Sequence, residues 1–594
     1  MHSSKRALMY FMMQTAHGAK LSLASIERRL AHIPTMVDSF KTASNNLCVA
    51  LEQYLHACNG LCASLQGPAP TLLSGEDTQH INTELASMPS YEEKVREARL
   101  NLTQARNCSS SFVPINLLPS DVLAHIFSMI VDSQPCILTA EYDEVSINRD
   151  HAYLDLLMQV CSHWRQIVES HPSLWVHVDF VPDCGDAKLI SKAKTHVRRA
   201  QGKPLEVHIV GTEGAKHDYS SLVELLGSLA GSMKALELIV TEEDIGKFYS
   251  LVLKTLLLKS DPTIFTRFSL RSQREHRDIF ITPSKSFAYN HHSENACLSV
   301  DISLEALERS FAALEALDLC SIFPPWNSKA YHGLVELKLT SSMDELYSRI
   351  PEQDLITILK ASPGLRILHF AMNIVSRHKG TKWNGTVVLN SLEELEISSW
   401  YDFQDKPALK VESLLRLLSP DNRPLRLMIQ TLDYDSASSW QAIKSFLARS
   451  NVTKFHAKSG APSIDELLRC MPHLTELVFS GFDLPPGFTS DKLKQAIKDS
   501  KTAEYPLISL TMRGCRIYLD RLRLMVELCP TKSLVFYNCN FRENEQGQRP
   551  MSDTKLSQLL NRFPAIKLIK EENHSFKTDS APAWDSGSDS GFES

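Results

Sequence analysis

Apolar residues recur in a regular pattern over the C-terminal two thirds of the chain. Between residues 200 and 570, segments of the form L-x-x-L-x-[LIF] alternate with segments that carry an apolar residue every three or four positions. The first pattern predicts short strands and the second predicts amphipathic helices. The clearest strands begin at six leucines, Leu314, Leu334, Leu365, Leu392, Leu474 and Leu507.

Weaker copies of the strand pattern centre on Leu236, Phe268, Leu427, Phe455 and Leu534. Successive copies from Leu317 to Leu534 lie 20 to 33 residues apart, which is the range of leucine-rich repeats. A helix, a proline stop and a strand form the unit of a curved solenoid with parallel strands and convex helices. Cys515 and Cys539 follow two strands where such repeats place an inward Asn or Cys. Because the other strands lack that residue, an all-α or different α/β arrangement stays open.

The outward positions of these strands would form the surface that holds a partner. The candidates are Glu336, Lys338, Arg366, His369, Glu394, Glu396 and Glu476. Their charges are mixed in sign, which suits a protein partner better than a polyanion. Residues 271–299 interrupt the array with polar and basic sequence and are predicted to form a long loop, with a ligand loop as an alternative.

The first 111 residues are predicted to be helical. An apolar stripe from Met36 to Gln66 indicates one amphipathic helix, which Gly67 and Pro68 end. A second helix is predicted from Tyr91 to Arg106, with Ser90 as its N-cap. The simplest interpretation is a helical hairpin or short coiled coil that packs on the next domain, and the alternative is a dimerisation coil.

Residues 112–180 carry the most specific local pattern. Leu118-Pro119-Ser120-Asp121 begins a helix whose apolar face continues to Ile130. A second helix is predicted from Leu156 to Val168 and ends near Pro172. The intervening segment, residues 132–150, is irregular and leaves no confident place for a helix between these two.

Three motifs follow one another in this stretch: L-P-x-[DE]-[VI]-L-x-x-I-F, V-C-x-x-W-R and P-x-L-W. Together they resemble an F-box, and they are most similar to the F-box proteins expanded in fungi. The resemblance implies a small all-α domain with an exposed apolar face that a Skp adaptor covers, and through it a cullin. The implied contact residues are Leu118, Pro119, Val122, Leu123, Ile126, Phe127, Val160, Cys161 and Trp164. Some of these residues must instead form the core of the domain.

Charge argues against nucleic acid as the partner. The net charge is −6, and residues 571–594 hold six acidic residues against Lys577, so the rest of the chain is nearly neutral. That tail is predicted to be disordered, and Asp585–Ser590 resembles a D-S-G-x-x-S phosphodegron. No apolar run approaches the ~20 residues that cross a bilayer, so no membrane segment is predicted.

The chemistry-bearing motifs indicate neither an enzyme nor a cofactor site. The 13 cysteines are odd in number and contain no C-x-x-C pair, which favours reduced thiols in the cytoplasm or nucleus over a disulfide frame or zinc site. His276-Arg277-Asp278 resembles a kinase triplet, but the Asn that must follow is absent. Phosphate-binding, serine-hydrolase and zinc-protease motifs are also absent.

The sequence therefore predicts an α/β protein with four regions: helices over 1–111, an F-box over 112–180, a leucine-rich-repeat-like solenoid over 181–570 and an acidic tail over 571–594. The expected function is that of a substrate-recognition adaptor in an SCF-type cullin–RING ubiquitin ligase, with an unidentified protein as substrate. A non-ligase scaffold is the first alternative. A secreted repeat receptor is the second, because Lys5 and Arg6 precede a short apolar run and the chain holds five N-x-S/T sequons.

Overall fold

A computed structural model describes a large part of the chain. The described residues are 23–66, 73–108, 113–132, 140–141, 144–145, 153–180, 187–211, 220–241, 247–272, 279–283, 297–341, 348–375, 385–398, 410–430, 437–458, 467, 470–481, 508–518, 533–542 and 566–569. They fall into two compact units, Met1–Arg106 and Asn107–Ser594. The acidic tail, with the phosphodegron-like segment, lies outside the described residues.

The described part of the first unit consists of two long helices, α1 (Leu23–Leu65) and α2 (Gly75–Cys108). The Tyr54 hydroxyl on α1 donates to Glu84 Oε1 on α2 at 3.0 Å, and this hydrogen bond raises the pKa of Tyr54 to about 12. The predicted start of the second helix at Tyr91 was wrong. The helix begins at Gly75, where the Ser74 hydroxyl accepts the Asp77 N–H at 3.0 Å, and continues through Pro89.

The second unit begins with short helices and continues with strands that alternate with further helices. Among the described residues its helices are α3 (Ser120–Asp132), α4 (Tyr153–Val160), α5 (Ser162–Ser170), α6 (Ala187–Ala200), α7 (Ser220–Leu229), α8 (Lys247–Lys259), α9 (Leu304–Phe311), α10 (Glu352–Ala361), α11 (Val411–Leu415) and α12 (Ala437–Leu447). Short 3-10 helices add Pro114–Leu117, Pro172–Trp175, Ala230–Ser232 and Lys329–Tyr331. None of the described helices is both long and apolar enough to cross a membrane.

Most of the strands in the described residues belong to one parallel sheet, which has 14 strands there. They are β3 (His177–Phe180), β4 (Leu205–Val210), β5 (Met233–Val240), β6 (Arg267–Ser272), β9 (Ala316–Cys320), β11 (Glu336–Thr340), β13 (Ile367–Phe370), β16 (Glu394–Ile397), β18 (Leu425–Gln430), β19 (Val452–Lys458), β20 (Glu476–Ser480), β21 (Ser509–Arg513), β23 (Ser533–Tyr537) and β25 (Ile566–Ile569). They lie side by side in that order, so each strand pairs with the next one added along the chain. This is a solenoid-like α/β fold, and it confirms the predicted fold class.

Smaller sheets accompany the long one. Paired short strands are β12 (Arg349–Pro351) with β14 (Asn373–Val375), β15 (Val387–Leu389) with β17 (Leu418–Pro420), β22 (Arg516–Tyr518) with β24 (Asn540–Arg542), and β1 (Ala140–Glu141) with β2 (Glu144–Val145). A three-stranded parallel sheet joins β7 (Ile279–Pro283), β8 (Cys297–Val300) and β10 (Ile322–Phe323). The predicted long loop over 271–299 was therefore wrong in part, because it contains β7, β8 and the last two residues of β6.

Leucines at alternate positions build the core of the long sheet. Leu337 and Leu339 on β11 are fully buried, while the intervening Lys338 is half-buried. Leu337 stands in register with Leu317 on β9 and Leu368 on β13, so buried leucines form a row across the strands. The leucine spacing of the sequence is thus the spacing of a continuous apolar layer.

The turns that leave the later strands repeat as well. Gly514 and Asn538 follow β21 and β23 with φ of 56° and 48°, a conformation that glycine and asparagine tolerate best. The next residues, Cys515 and Cys539, donate their thiols to the Phe479 and Met512 carbonyls, at 3.6 Å and 3.3 Å. The two cysteines therefore link each turn to the preceding strand of the sheet.

Candidate interaction surfaces

Three short helices, α3, α4 and α5, form the domain that precedes the sheet. The single helix predicted from Leu156 to Val168 is two helices, because the chain is extended at Cys161 with φ −161° and ψ 168°. The Cys161 sulfur accepts the Trp164 N–H at 3.4 Å and so caps α5. The helix that the sequence did not place is therefore α4, which ends directly before Cys161.

Two of the residues that were predicted to contact an adaptor lie in the core of this domain. Leu123 and Phe127 on α3 are fully buried, so their side chains are out of reach of a partner. Phe127 lies against the Trp164 ring with centroids 4.8 Å apart. The spacing of the α3 face could not separate these core residues from contact residues, because both kinds are apolar and one helical turn apart.

The other predicted contact residues keep part of their surface exposed. Pro119, Val122 and Val160 are exposed, while Leu118, Ile126, Cys161 and Trp164 are half-buried. The Trp164 indole N–H donates to Asn116 Oδ1 at 3.0 Å, which fixes the ring orientation. These side chains lie on or directly beside helices that contact each other, α3 with α4 and α5.

Further exposed apolar side chains on the same elements were missed by the sequence analysis. They are Ile115, Leu117, Met129 and Leu156. Met129 lies three residues after Ile126, so the helical period of α3 was the signal that could have found it. Exposed apolar side chains on a domain this small are candidates for contacts with a protein partner.

The predicted partner-binding residues of the array lie on the long sheet as expected from their alternation. Lys338, His369 and Glu396 occupy half-buried strand positions between buried ones, while Glu336, Glu394 and Glu476 are the half-buried first residues of their strands. Arg366 lies one residue before β13 and is exposed, and it forms a two-pronged ion pair with Glu393 at 2.6 and 3.0 Å.

Ion pairs connect these side chains across neighbouring strands. His369 Nε2 lies 2.9 Å from Glu394 Oε1, and its Nδ1 lies 3.5 Å from Glu396 Oε2. Arg426 donates to the second oxygen of Glu394 at 3.0 Å. The hydrogen bond from His369, with help from Arg426 and against the effect of burial, lowers the pKa of Glu394.

A cleft of about 220 Å³ opens on this face over strands β19 to β23. Glu476 is the predicted partner-binding residue in its wall. The wall also holds Val478, Val535 and Tyr537, and the Arg513 guanidinium lies 5.2 Å from the centroid of the Tyr537 ring. A cleft that has an apolar wall and side chains of both charges can bind a protein segment that contains apolar and charged residues. The sequence did not reveal most of the cleft, because four strands, β19, β20, β21 and β23, contribute to its wall.

Two groups on the strand face bring together side chains that can ligate a metal. One is His369, Glu394 and Glu396, and the other is His177, Glu206 and His208. The second group lies on β3 and β4, two strands that the leucine pattern did not reveal.

Comparison with known protein families matches residues 115–181 to the F-box-like family. F-box-like domains bind Skp-like adaptors in general, and the proteins that carry them are generally non-catalytic adaptors. A domain of this class therefore precedes the repeat-type array in this chain.

Curated proteins yield no match to the chain. Among solved structures, a protein of Bacteroides fragilis, a structural-genomics target, is 11% identical to this chain, with 66% of this chain and 82% of that protein covered and a TM-score of 0.23. A TM-score below 0.5 does not establish a common fold.

Proposed function

We propose that the protein is the substrate-recognition subunit of an SCF-type cullin–RING ubiquitin ligase. The observation that carries the proposal is the F-box-like match over residues 115–181, on a domain whose exposed side chains include Val122, Met129, Leu156 and Val160. The chain would supply no catalytic residue. It would act by holding a substrate near a ubiquitin-charged enzyme, which raises the effective concentration of the reacting groups.

The surface for the Skp adaptor is the exposed part of α3, α4 and the segment before α3. Val160 ends α4 with 54% of its surface exposed, and Val122 on α3 has 40% exposed. Covering such side chains stabilises a complex by about 25 cal/mol per Å² of apolar area. Leu123 and Phe127 support this surface from the core, and we leave them out of the contact set.

The surface for the substrate is the strand face of the array, which we assign to leucine-rich repeats of the kind found in fungal F-box proteins. Lys338, His369 and Glu396 would provide charged contacts, and the cleft around Tyr537 would receive an apolar side chain. Such a protein would act in the cytoplasm or nucleus, where the ubiquitin machinery works.

Substitution of one exposed side chain tests the adaptor contact. We expect Val160→Glu to reduce co-purification of a Skp-type adaptor at least tenfold, because it would bury an unpaired charge in the interface. The matched control is Leu258→Glu, since Leu258 lies on α8 in the array and is 50% exposed. The control should retain the adaptor fully.

Equal recovery of the adaptor by Val160→Glu and the wild type would refute the docking surface. The same purification distinguishes the alternative function. A cullin in the complex supports the ligase subunit, whereas an adaptor without a cullin supports a non-ligase scaffold.

A further inference from the structure

Five ionisable side chains cluster on the first three strands of the long sheet. His177 and Asp179 lie on β3, Glu206 and His208 on β4, and Glu237 on β5. His177 is in register with Glu206, and His208 is in register with both Asp179 and Glu237. Because parallel strands are about 4.8 Å apart, register partners on one face are direct neighbours.

The donor atoms of three of these residues converge. One ligand atom each from His177, Glu206 and His208 lies within 4.8 Å of the others, and all three side chains are half-buried. A zinc-type ion with bonds of about 2.0–2.1 Å needs tetrahedral donors roughly 3.4 Å apart. Side-chain rotations that move each donor by about an ångström would close this gap. Two imidazoles and one carboxylate form a known zinc ligand set.

The remaining two carboxylates hold the imidazoles. Asp179 Oδ1 is 2.9 Å from His177 Nε2, and Glu237 Oε2 is 2.7 Å from His208 Nδ1. A ligating histidine almost always donates its other ring N–H to a carboxylate or carbonyl, which fixes its tautomer and makes it a better ligand. Each histidine already has a carboxylate on one ring nitrogen, so His177 Nδ1 and His208 Nε2 would be the nitrogens that bind the ion.

The charge balance of the cluster favours a cation. It contains three carboxylates, and the nearby Arg271 is already paired with Asp318 on β9. The other cluster, around His369, differs in two ways. Arg426 already binds Glu394 there at 3.0 Å, and the cluster has one imidazole, that of His369, which contacts both Glu394 and Glu396.

We propose that His177, Glu206 and His208 bind a zinc-type divalent metal ion, with Asp179 and Glu237 orienting the two imidazoles. The ion would join β3 to β4 at the end of the sheet. His177 is two residues after Trp175, the last residue of a 3-10 helix, and β3 forms the end of the F-box-like match over residues 115–181. The metal would therefore fasten the last strand of the matched domain to β4, its neighbour in the long sheet.

Titration of the full-length, chelator-treated protein with Co²⁺ and Zn²⁺ tests the site. We expect one ion per chain by calorimetry, a visible absorption band for Co²⁺ that Zn²⁺ removes, and a higher Tm with Zn²⁺ present. Absence of binding would overturn the proposal. Weak binding of several ions that no variant changes would show an adventitious ion only and would overturn it as well.

Matched histidine variants locate the ion. His208→Gln should lower the affinity for Co²⁺ at least tenfold, and His369→Gln, in the ion-paired cluster, should leave it unchanged. Glu237→Gln should lower the affinity 10- to 100-fold through the orientation of His208, since that is the usual effect of such partners. Equal losses in His208→Gln and His369→Gln would contradict the assignment, and the circular dichroism of each metal-free variant verifies that it folds.

Discussion

At the scale of single residues, the strand face contains a histidine that the fold keeps neutral. His456 on β19 is 4% exposed, and its Nε2 lies 2.8 Å from the Ser480 hydroxyl. Burial, together with the positive charges of Arg513 and Lys458, lowers the pKa of His456 to about 4. Its protonation is therefore linked to unfolding.

The first prediction concerns pH. Because the folded pKa of His456 lies below the ordinary value of about 6.5, the unfolded chain binds more protons between those values, and stability falls as pH drops from about 6.5 towards 4. The loss from this residue is roughly 3 kcal/mol at its full extent. Urea unfolding of His456→Gln at pH 7 and pH 5 should show a smaller decrease than the wild type. The same decrease in both proteins would exclude His456 as the source.

The sequence predicted individual residues well where one face of a strand had to be apolar. Leu337, Leu368 and Leu395 are buried in one row, as their spacing indicated. It could not assign Leu123 or Phe127 to the core, because helical spacing does not say which neighbour covers an apolar face. The cluster around His208 was missed for another reason: residues 205–210 alternate as a strand should, but lack the leucine signature.

At the scale of elements, the small helical domain depends on a contact between distant segments. The 3-10 helix Pro114–Leu117 holds Asn116, whose side chain accepts from Trp164 on α5 and donates to the Asn107 carbonyl at 2.6 Å. This asparagine links the segment before α3 to the last helix of the domain. It lies outside the three motifs that identified the domain in the sequence.

The second prediction tests that link by a double-mutant cycle of Asn116→Ala and Trp164→Phe. Phenylalanine keeps a ring against Phe127 but cannot donate, so the two substitutions remove the same hydrogen bond. We expect a coupling energy of about 1 kcal/mol, a typical net value for such a bond. Hydrogen exchange of the α3 amides measures it. Effects that simply add would mean that the bond does not stabilise the domain.

Element boundaries were the least predictable part of the fold. Nothing in residues 156–168 marks the break at Cys161, because both helices continue the same apolar spacing. Likewise, Ser90 resembles an N-cap as much as Ser74 does, and only the structure shows which serine begins the helix. Local signals of this kind compete, and tertiary packing decides among them.

At the scale of the whole molecule, the long sheet is a stack in which each repeat touches mainly its neighbours. Stability in such arrays is close to a sum of repeat and interface contributions. Damage in one repeat should therefore spread only a short distance. The leucine periodicity predicted this arrangement. It did not predict β7 and β8, because they are short, largely apolar runs without the leucine spacing, set in polar and irregular sequence.

The third prediction concerns Leu368, which is fully buried on β13 between Leu337 and Leu395. Leu368→Ala should destabilise the protein by about 2–5 kcal/mol through the cavity that it leaves. We expect faster hydrogen exchange in β11, β13 and β16, and unchanged exchange in β4 and β5. Uniform acceleration across all strands would show that the array unfolds as one unit.

The junction between the F-box-like domain and the array has a geometric consequence. Trp175 is buried, donates to the Val168 carbonyl at 2.8 Å, and lies beneath Arg199 of α6, while Arg199 also pairs with Glu169 of α5 at 2.9 Å. Starting from this fixed junction, successive strands of the sheet lie about 4.8 Å apart. A ligand seated on β21 sits roughly 43 Å farther along the sheet than one seated on β5, by nine steps in the strand order. The strand on which a ligand binds would therefore set the distance between that ligand and a partner bound to the F-box-like domain.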